Sequence, residues 1–244
     1  MLKQYHTDLH IHTCLSPCGD WEMSPRGVVE MSRDKGLDII AVCDHNSMEN
    51  AEAAMRVGEK TGVCVFPGME ICSREEAHIL AIFSDPERAR AMQEYVYDHL
   101  PGENRSEYFG NQIIANEYDE VLGENDRLLI GATTLAIHEI VEKTHALGGL
   151  SIASHVDRPA FGIISQLGFI PPDLPLDGVE ISYRIPPEDW QEKVPGIGDF
   201  PCITSSDAHY PDDIGRARTV FLIDTPSPEE IRLALQGAKG REIV

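Results

Sequence analysis

Histidine and acidic side chains recur in this sequence at spacings that suit metal binding. His10 and His12 are two residues apart near the beginning of the chain, and Asp207 and His209 repeat this spacing near its end. In an extended strand alternate side chains share one face, about 6–7 Å apart along the chain, so each pair can reach one ion. Mixed imidazole and carboxylate ligands suit zinc, manganese or iron, so the pattern indicates a metal site.

Further candidate ligands lie close to the boundaries of predicted strands. They are Asp20, Asp44, His45, Glu70, His78 and His155. The carboxyl ends of parallel strands meet at one rim of a barrel or open sheet, so residues distant in the sequence converge there. A single histidine is more often a surface or satisfied buried residue, and the coincidence at six or seven strand ends is what indicates a shared site. Because His78 begins its strand, it requires either an antiparallel neighbour or a different strand boundary.

The elements that would position these residues are short β-branched runs alternating with helix-like segments, as in parallel β/α units. Strands are predicted at 5–12, 37–43, 63–66, 77–83, 149–154, 177–182, 202–205 and 217–223, and helices at 25–35, 48–60, 86–100, 133–147 and 227–238. The stretch 101–131 departs from this rhythm and is rich in Gly, Asn, Glu and Asp. It is predicted to be an insertion that forms a lid or a small hairpin within one domain of residues 1–244.

Composition limits the function further. The chain has 41 acidic residues against 20 Lys and Arg, a formal net charge of -21, which would repel a nucleic-acid backbone. Stable binding of a long nucleic acid is therefore not expected. Six cysteines are interpreted as reduced thiols, and neither a signal-like N-terminus nor an apolar run of about 18 residues is present, so a cytoplasmic location and no membrane contact are expected.

Read in order, the segments that carry the candidate ligands resemble the PHP family, named for polymerase and histidinol phosphatase. The matching segments are Asp8 to Thr13, Asp44 to Asn46, Gly68 to Glu70, His78, Ser154-His155 and Ser206 to His209, and the likeness spans about residues 5 to 220. The resemblance implies an α/β fold, a distorted seven-stranded β/α (TIM-like) barrel. It also implies a phosphoesterase with two or three divalent ions, Zn, Mn or Fe.

Carried onto this sequence, the resemblance assigns the ligands to three ions. His10, His12, Glu70 and Asp207 would hold the first, Asp20, His45 and His209 the second, and Glu70, His78 and His155 the third. Many family members place an acidic residue and a glycine directly after the serine of the first motif, whereas here Pro17-Cys18-Gly19 separates Ser16 from Asp20. Cys14, Cys18 and Glu22 therefore stay open as alternatives to Asp20. Amidohydrolase chemistry is a minor alternative, because a bridging lysine has no counterpart.

The implied reaction is hydrolysis of a phosphate ester by a hydroxide that bridges two of the ions. The positive charge of the ions would also offset the acidic charge of the chain at the site. Catalysis would depend on His10, His12, Glu70, Asp207 and His209, with Asp8 and Asp44 orienting imidazoles and Arg158 and Arg184 binding the phosphate. A small nucleotide or phosphorylated metabolite is the expected substrate. The alternatives are a nuclease-type phosphodiesterase and a catalytically inactive metal-binding or interaction module. The insertion would either close over a substrate base or form a contact in a homo-oligomer.

Overall fold

A nine-stranded sheet forms the centre of the protein in a computed structural model that describes residues 1–244. In spatial order its strands run β11-β10-β1-β2-β3-β4-β7-β8-β9, and β5 and β6 form a separate hairpin. The strands are β1 (Lys3–Ile11), β2 (Ile39–Val42), β3 (Cys64–Cys72), β4 (His78–Ile82), β5 (Ile113–Ala115), β6 (Val121–Glu124), β7 (Leu150–Ala153), β8 (Gly178–Glu180), β9 (Cys202–Ile203), β10 (Thr219–Ile223) and β11 (Glu242–Ile243).

Eight α-helices connect and cover these strands. They are α1 (Pro25–Asp34), α2 (Ala51–Thr61), α3 (Pro86–Tyr97), α4 (Ser106–Phe109), α5 (Ile137–Ala146), α6 (Ile163–Leu167), α7 (Trp190–Lys193) and α8 (Pro228–Leu235). The helix starts predicted at Ser24 and Ser227 are confirmed, since each serine hydroxyl accepts a hydrogen bond from a backbone N–H in the first turn. None of the helices combines the length and the apolar composition needed to cross a membrane.

The sheet curls toward closure. The backbone N–H of His12 donates to the carbonyl of Ala208 (3.0 Å), which joins the end of β1 to the segment that follows β9. The predicted α/β class and its TIM-like barrel are thereby confirmed. The count of seven describes only the strands from β1 to β9 in spatial order, because β10 and β11 extend the sheet antiparallel to the free edge of β1.

Strand β4 explains the position of His78. It runs antiparallel to both of its neighbours, β3 and β7, and His78 pairs with Cys72 at the carboxyl end of β3. The beginning of an antiparallel strand lies at the same rim as the ends of its neighbours. Of the two possibilities left by the sequence, the antiparallel neighbour is the one found.

Apolar side chains cover both faces of the sheet, as the near-continuous hydrophobic strands require. On one face, Val42, Met69 and Ile79 belong to a cluster that includes residues of the surrounding helices. On the other face, Ala41 and Leu80 belong to a second cluster that includes apolar residues of α8. The metal-ligand candidates therefore lie at the rim of a scaffold that is packed on both sides.

The insertion 101–131 contains α4 and the β5–β6 hairpin, which is one of the two forms expected for it. Asn50, which precedes α2, holds the hairpin through two hydrogen bonds. Its Nδ2 donates to the carbonyl of Ile113 and its Oδ1 accepts from the N–H of Ala115, both at 3.0 Å. Asn46 donates to the carbonyls of Leu129 and Gly131, so the insertion is anchored directly beside the rim.

Candidate metal centre

A β-bulge in β1 directs the two leading histidines into the rim. Asp8 pairs with Ile40 and Ile11 pairs with Val42, so two residues of β1, Leu9 and His10, oppose the single residue between those partners. The extra residue places His10 on the opposite face of the strand from Asp8. Bulges are frequent next to active sites, where they re-aim a side chain. The period of two then carries His12 to the same face as His10.

Glu70 lies at the centre of the site and is 1% exposed. Its two carboxylate oxygens contact five imidazoles: His10 (3.3 Å), His12 (3.6 Å), His45 (3.1 Å), His78 (2.9 Å) and His155 (3.1 Å). Backbone hydrogen bonds of Glu70 with Asp44 and Asn46 continue the pairing of β2 and β3 past the end of β2. Side chains from several strand ends therefore meet at the carboxylate of Glu70, as a ligand shared between ions requires.

The four side chains assigned to the first ion surround one point. Nε2 of His10 and Nε2 of His12 are 3.1 Å apart, and Asp207 Oδ1 lies 3.3 Å and 3.2 Å from them. Ligands bound tetrahedrally at 2.0–2.1 Å are separated by about 3.3 Å along each edge. These spacings, with the 3.3 Å and 3.6 Å contacts of Glu70, match a single small cation.

The network around His10 fixes which ring nitrogen faces the centre. Nδ1 of His10 lies 3.1 Å from both carboxylate oxygens of Glu180, a buried residue at the end of β8. A carboxylate accepts hydrogen bonds, so Nδ1 carries the proton and Nε2 presents its lone pair. Partners of this kind orient histidine ligands in metal sites. Glu180 was not recognised in the sequence, although it is a buried acid at a strand end like the others.

A second relay orients His12. The hydroxyl of Ser16 donates to Asp44 Oδ1 (2.7 Å), so its oxygen is left to accept from Nδ1–H of His12 (2.9 Å). Nε2 of His12 therefore also presents a lone pair to the centre. Asp44 thus orients an imidazole, as expected, but acts through Ser16. Asp8 makes no hydrogen bond to an imidazole and instead accepts from the N–H groups of Ser206 and Gly215, which holds the loop that carries Asp207.

Buried acceptors that face one another show that the centre fits a cation. Asp207 Oδ1 has no hydrogen-bond partner, although its side chain is only 6% exposed. Arg158 pairs with the other oxygen, Oδ2, and the nearest ring atoms to Oδ1 are Nε2 of His10 and Nε2 of His12, which present lone pairs when they bind a metal. An unsatisfied buried acceptor is costly, and a positive ion at this point would satisfy all three atoms at once.

The second group of candidate ligands consists of His12, His45 and His209, whose ligand atoms all lie within 4.8 Å of one another. Nδ1 of His209 donates to the carbonyl of Asp207 (3.0 Å), which leaves its Nε2 free to coordinate. The structure does not bring the Asp20 carboxylate into this group. Asp20 Oδ1 accepts from the N–H of Glu22 (2.8 Å), whereas the sulfur of Cys18 lies 3.3 Å from Nε2 of His45.

The third group combines His45, Glu70 and His78, again with ligand atoms within 4.8 Å. His155, which the resemblance assigned here, adjoins the group through Glu70. The backbone of His155 has a φ of 30° and that of Asp207 a φ of 49°, both in the left-handed region that non-glycine residues rarely adopt. Strain of this kind is often found where the structure must hold a functional side chain in place.

The pKa values of His10, Glu70 and Asp207 report attraction for positive charge at the centre, whereas burial lowers those of His12 and His78. Burial alone would lower the pKa of His10, but the charges of Glu180, Asp207 and Glu70 raise it well above its ordinary value. Burial alone would raise the pKa of Glu70 and of Asp207, but the neighbouring imidazoles lower both well below the usual range. Protons and metal ions therefore compete for the same site.

The two candidate phosphate-binding arginines differ in position. Nη1 of Arg158 lies 2.5 Å from Asp207 Oδ2, so this guanidinium is part of the centre and remains partly exposed. The coulombic attraction of Asp207 outweighs burial and raises the pKa of Arg158. Arg184 is exposed and has no ion-pair partner, and its guanidinium lies 6.0 Å from the ring centre of Tyr183.

Comparison with known families and proteins agrees with this geometry. The sequence matches the PHP domain model over residues 8–149, more than half of the chain, and the PHP-associated model over residues 198–239. An uncharacterized protein of Methanocaldococcus jannaschii is 26% identical, over 71% of this chain and 79% of the relative. A 5'-3' exoribonuclease of Haemophilus influenzae is 23% identical, over 64% of this chain and 69% of the relative.

Among solved structures, a lesion-specific endonuclease from Pyrococcus furiosus has a similar fold, with a TM-score of 0.71 and 21% sequence identity. The similarity covers 99% of this chain but only 58% of the endonuclease, so this protein corresponds to little more than half of that enzyme. At this identity the likeness shows a shared fold.

Proposed function

The chain belongs to the PHP family, and on this premise we propose that it is a metal-dependent hydrolase of phosphate esters that acts on a small phosphorylated molecule such as a nucleotide. The observation that carries the proposal is the buried cluster of acceptors around Glu70. Six imidazoles and two carboxylates contribute to it: His10, His12, His45, His78, His155, His209, Glu70 and Asp207. Divalent ions held there would supply Lewis acidity and activation of water for attack at phosphorus.

The protein's own residues contribute orientation. Glu180 and Ser16 fix the ring nitrogens that His10 and His12 present to the centre. Nη1 of Arg158 pairs with Asp207 Oδ2, and the guanidinium makes no other ion pair. A guanidinium in this position can donate to phosphoryl oxygens and offset the charge that develops on them in the transition state.

A small substrate is favoured by the charge of the protein and by a cleft next to the loop that carries Cys18. The net charge of -21 opposes contact with an extended polyanion. Pro17 and Gly19, which flank Cys18, line a cleft of about 230 Å³ together with residues of the insertion. Trp21 lines the same cleft and is 67% exposed, so its ring is available to stack on a nucleobase.

The proposal is tested by measuring metal content together with hydrolysis of p-nitrophenyl phosphate, nucleoside monophosphates, nucleoside bisphosphates and sugar phosphates. We expect bound metal and turnover of at least one small ester with zinc, manganese or iron. The variants His12→Ala and Asp207→Ala should lose metal and activity while retaining the circular dichroism of the folded protein. Stoichiometric metal without turnover of any phosphoester would instead support a metal-binding or interaction module.

A nuclease is the second candidate, and the similarity to an exoribonuclease and to an endonuclease favours it. The two functions differ in how rate depends on chain length. An enzyme for small esters should prefer a mononucleotide, whereas a nuclease should cleave a short labelled oligonucleotide with the higher kcat/KM. Comparing kcat/KM for the two substrates decides between the two functions. The ionic strength must be the same in both assays, because a change in salt concentration by itself changes the binding of the longer polyanion.

A further inference from the structure

We infer that Cys18 is a thiolate ligand of the second ion, at the place where the family resemblance puts Asp20. The inference deepens the proposed function, because it requires that the imidazole cluster holds metal. It adds a sulfur ligand to a site whose other side chains are imidazoles. It also assigns a chemical role to a residue that the phosphoesterase mechanism does not otherwise use.

The position of the sulfur fits coordination. Sγ of Cys18 lies 3.3 Å from Nε2 of His45. With a zinc–sulfur bond of 2.3 Å and a zinc–nitrogen bond of 2.0–2.1 Å, tetrahedral geometry separates the two ligand atoms by about 3.6 Å. The observed spacing is within a few tenths of an ångström of this value, so one ion can bind both atoms with only a small adjustment.

Asp20 has a different task. Its carboxylate accepts from the N–H of Glu22 (2.8 Å), and its own N–H donates to the carbonyl of His209 (2.8 Å). Asp20 therefore fastens the loop to the segment that carries His209. The loop turns back at Gly19, where a side-chain carbon would lie 2.5 Å from the carbonyl oxygen of Thr13, a contact that only glycine avoids. The tight turn is what brings Cys18 against the imidazoles.

The other two alternatives left by the sequence lie elsewhere. Cys14 is buried, and its sulfur faces the carbonyl of Ile113 (3.8 Å) in the insertion. Glu22 is exposed on the surface. Of the three alternatives to Asp20, Cys18 is therefore the one that contacts the candidate ligands.

A thiolate ligand changes which metal the second position prefers. Binding forms a sulfur–metal bond and releases the thiol proton to solvent. Sulfur is a softer ligand than a carboxylate, so it favours zinc, cobalt or ferrous iron over manganese or magnesium. Cys64 is a suitable control. It begins β3, whereas the carboxyl end of that strand, at Cys72, lies at the rim with the candidate ligands.

Cobalt substitution of the full-length protein tests the inference, with Co²⁺ added to metal-free protein and absorbance recorded. The visible d–d bands report that the centre binds the ion, and a near-ultraviolet thiolate-to-cobalt charge-transfer band reports a sulfur ligand. We expect both sets of bands in the wild-type protein and in Cys64→Ser. Cys18→Ser and Cys18→Asp should lose the charge-transfer band, and the aspartate variant, which keeps a ligand at this position, should retain bound cobalt.

The outcomes separate this inference from the proposed function. Visible bands without a charge-transfer band in the wild-type protein, or a charge-transfer band that survives in Cys18→Asp, would overturn the role of Cys18 and leave the metal centre standing. Failure of the wild-type protein to bind cobalt at all would overturn the metal centre itself. In addition, Cys18→Asp should lower the preference for Zn²⁺ over Mn²⁺ by about tenfold or more in competition, an effect at least as large as the loss of an orienting partner.

Discussion

Both carboxylate oxygens of Glu180 lie 3.1 Å from Nδ1 of His10, while Nε2 of the same ring faces Glu70 and Asp207. Glu180 also accepts from the backbone N–H of His155 (3.2 Å). One buried acid at the end of β8 thus holds two candidate ligands that come from β1 and from the end of β7. Its negative charge also increases the basicity of the His10 ring toward a metal.

The variant Glu180→Gln should weaken metal binding without unfolding the protein. The amide oxygen can still accept from Nδ1–H of His10, but the charge that strengthens this ligand is lost. We expect the affinity for Zn²⁺ to decrease by about 10- to 100-fold, measured by competition with a chromophoric chelator. Glu188→Gln, which changes an exposed acid in the same part of the chain, is the control. Equal affinities for the two variants would contradict the assigned role of Glu180.

Removal of metal should lower stability. Without metal, Nε2 of His10, Nε2 of His12 and the unsatisfied oxygen of Asp207 crowd together in a buried site. A ligand that binds only the folded state at 100 times its Kd contributes about 2.7 kcal/mol. We expect dialysis against a chelator to lower Tm and readdition of Zn²⁺ or Mn²⁺ to restore it. A chelator already saturated with metal is the control, and an unchanged Tm would argue against a built metal site.

Ser16→Ala should show how much metal binding depends on the orientation of the ligands. The substitution removes the hydroxyl that accepts from Nδ1 of His12 and from the backbone N–H of His45 (3.2 Å). Asp44 loses the hydroxyl of Ser16 but keeps its hydrogen bonds from the N–H and the hydroxyl of Thr13. The fold should persist, and metal affinity should decrease by about 10- to 100-fold. Ser84→Ala, at an exposed position, should leave affinity unchanged. A variant that binds metal like the wild-type protein would show that the relay is dispensable.

The family and the α/β barrel were predictable because the sequence carries short, discrete signals for them. Helix starts at Ser24 and Ser227 follow from local capping chemistry, which does not depend on distant contacts. The placement of His78 at the rim could only be stated as two possibilities. Strand direction depends on pairing between β3, β4 and β7, and this information is not local.

Other features of the site depend on tertiary structure alone. The bulge that turns His10 away from the face of Asp8 leaves no signature in the residue types of β1, because it arises from register with β2. Glu180 is a buried acid near a strand end, as Glu70 is, but it lies outside the segments that carry the family resemblance. Cys18 was an open alternative until the loop geometry brought its sulfur to His45.

The ion pair around Asp177 should make stability depend on pH in the acid range. Arg232 donates to Asp177 (2.6 Å), as does His145 (2.9 Å), and the carboxylate side chain is 7% exposed. Burial alone would raise the pKa of Asp177, but these hydrogen bonds lower it. The stabilisation is therefore fully present above the unfolded-state pKa of about 3.9 and is lost as the pH falls through the lower folded-state pKa.

The variant Asp177→Asn should consequently be less stable than the wild-type protein by about 1–3 kcal/mol near neutral pH. The difference should shrink as the pH is lowered below about 4. Urea unfolding at several pH values measures this, with both proteins compared at each pH so that protonation of the metal ligands affects them equally. Asp173→Asn, at an exposed position, is the control. A difference that stays constant down to the acid limit would exclude the charge of Asp177 as its source.

The two arginines offer a direct test of how the substrate phosphate is bound. Arg158 forms an ion pair with Asp207 within the centre. Arg184 is exposed, and its guanidinium lies 6.0 Å from the ring centre of Tyr183. A hydrogen bond to a charged group contributes about 1.5–3 kcal/mol, so loss of the Arg158 guanidinium should reduce kcat/KM by roughly 10- to 100-fold. Arg158→Lys keeps the charge but cannot form two parallel hydrogen bonds, and it should recover only part of the loss.

Because Arg158 also neutralises Asp207, its removal could act on the metal instead of the substrate. The two effects are separated by measuring metal content and KM in the same preparations of Arg158→Met, Arg158→Lys and Arg184→Met. A phosphate-binding role predicts full metal occupancy, a raised KM for Arg158→Met and a smaller change for Arg184→Met. If Arg158→Met loses metal while the remaining active enzyme keeps its KM, Arg158 serves only as a partner of Asp207. If KM rises more in Arg184→Met than in Arg158→Met, the phosphate site lies toward Tyr183 instead.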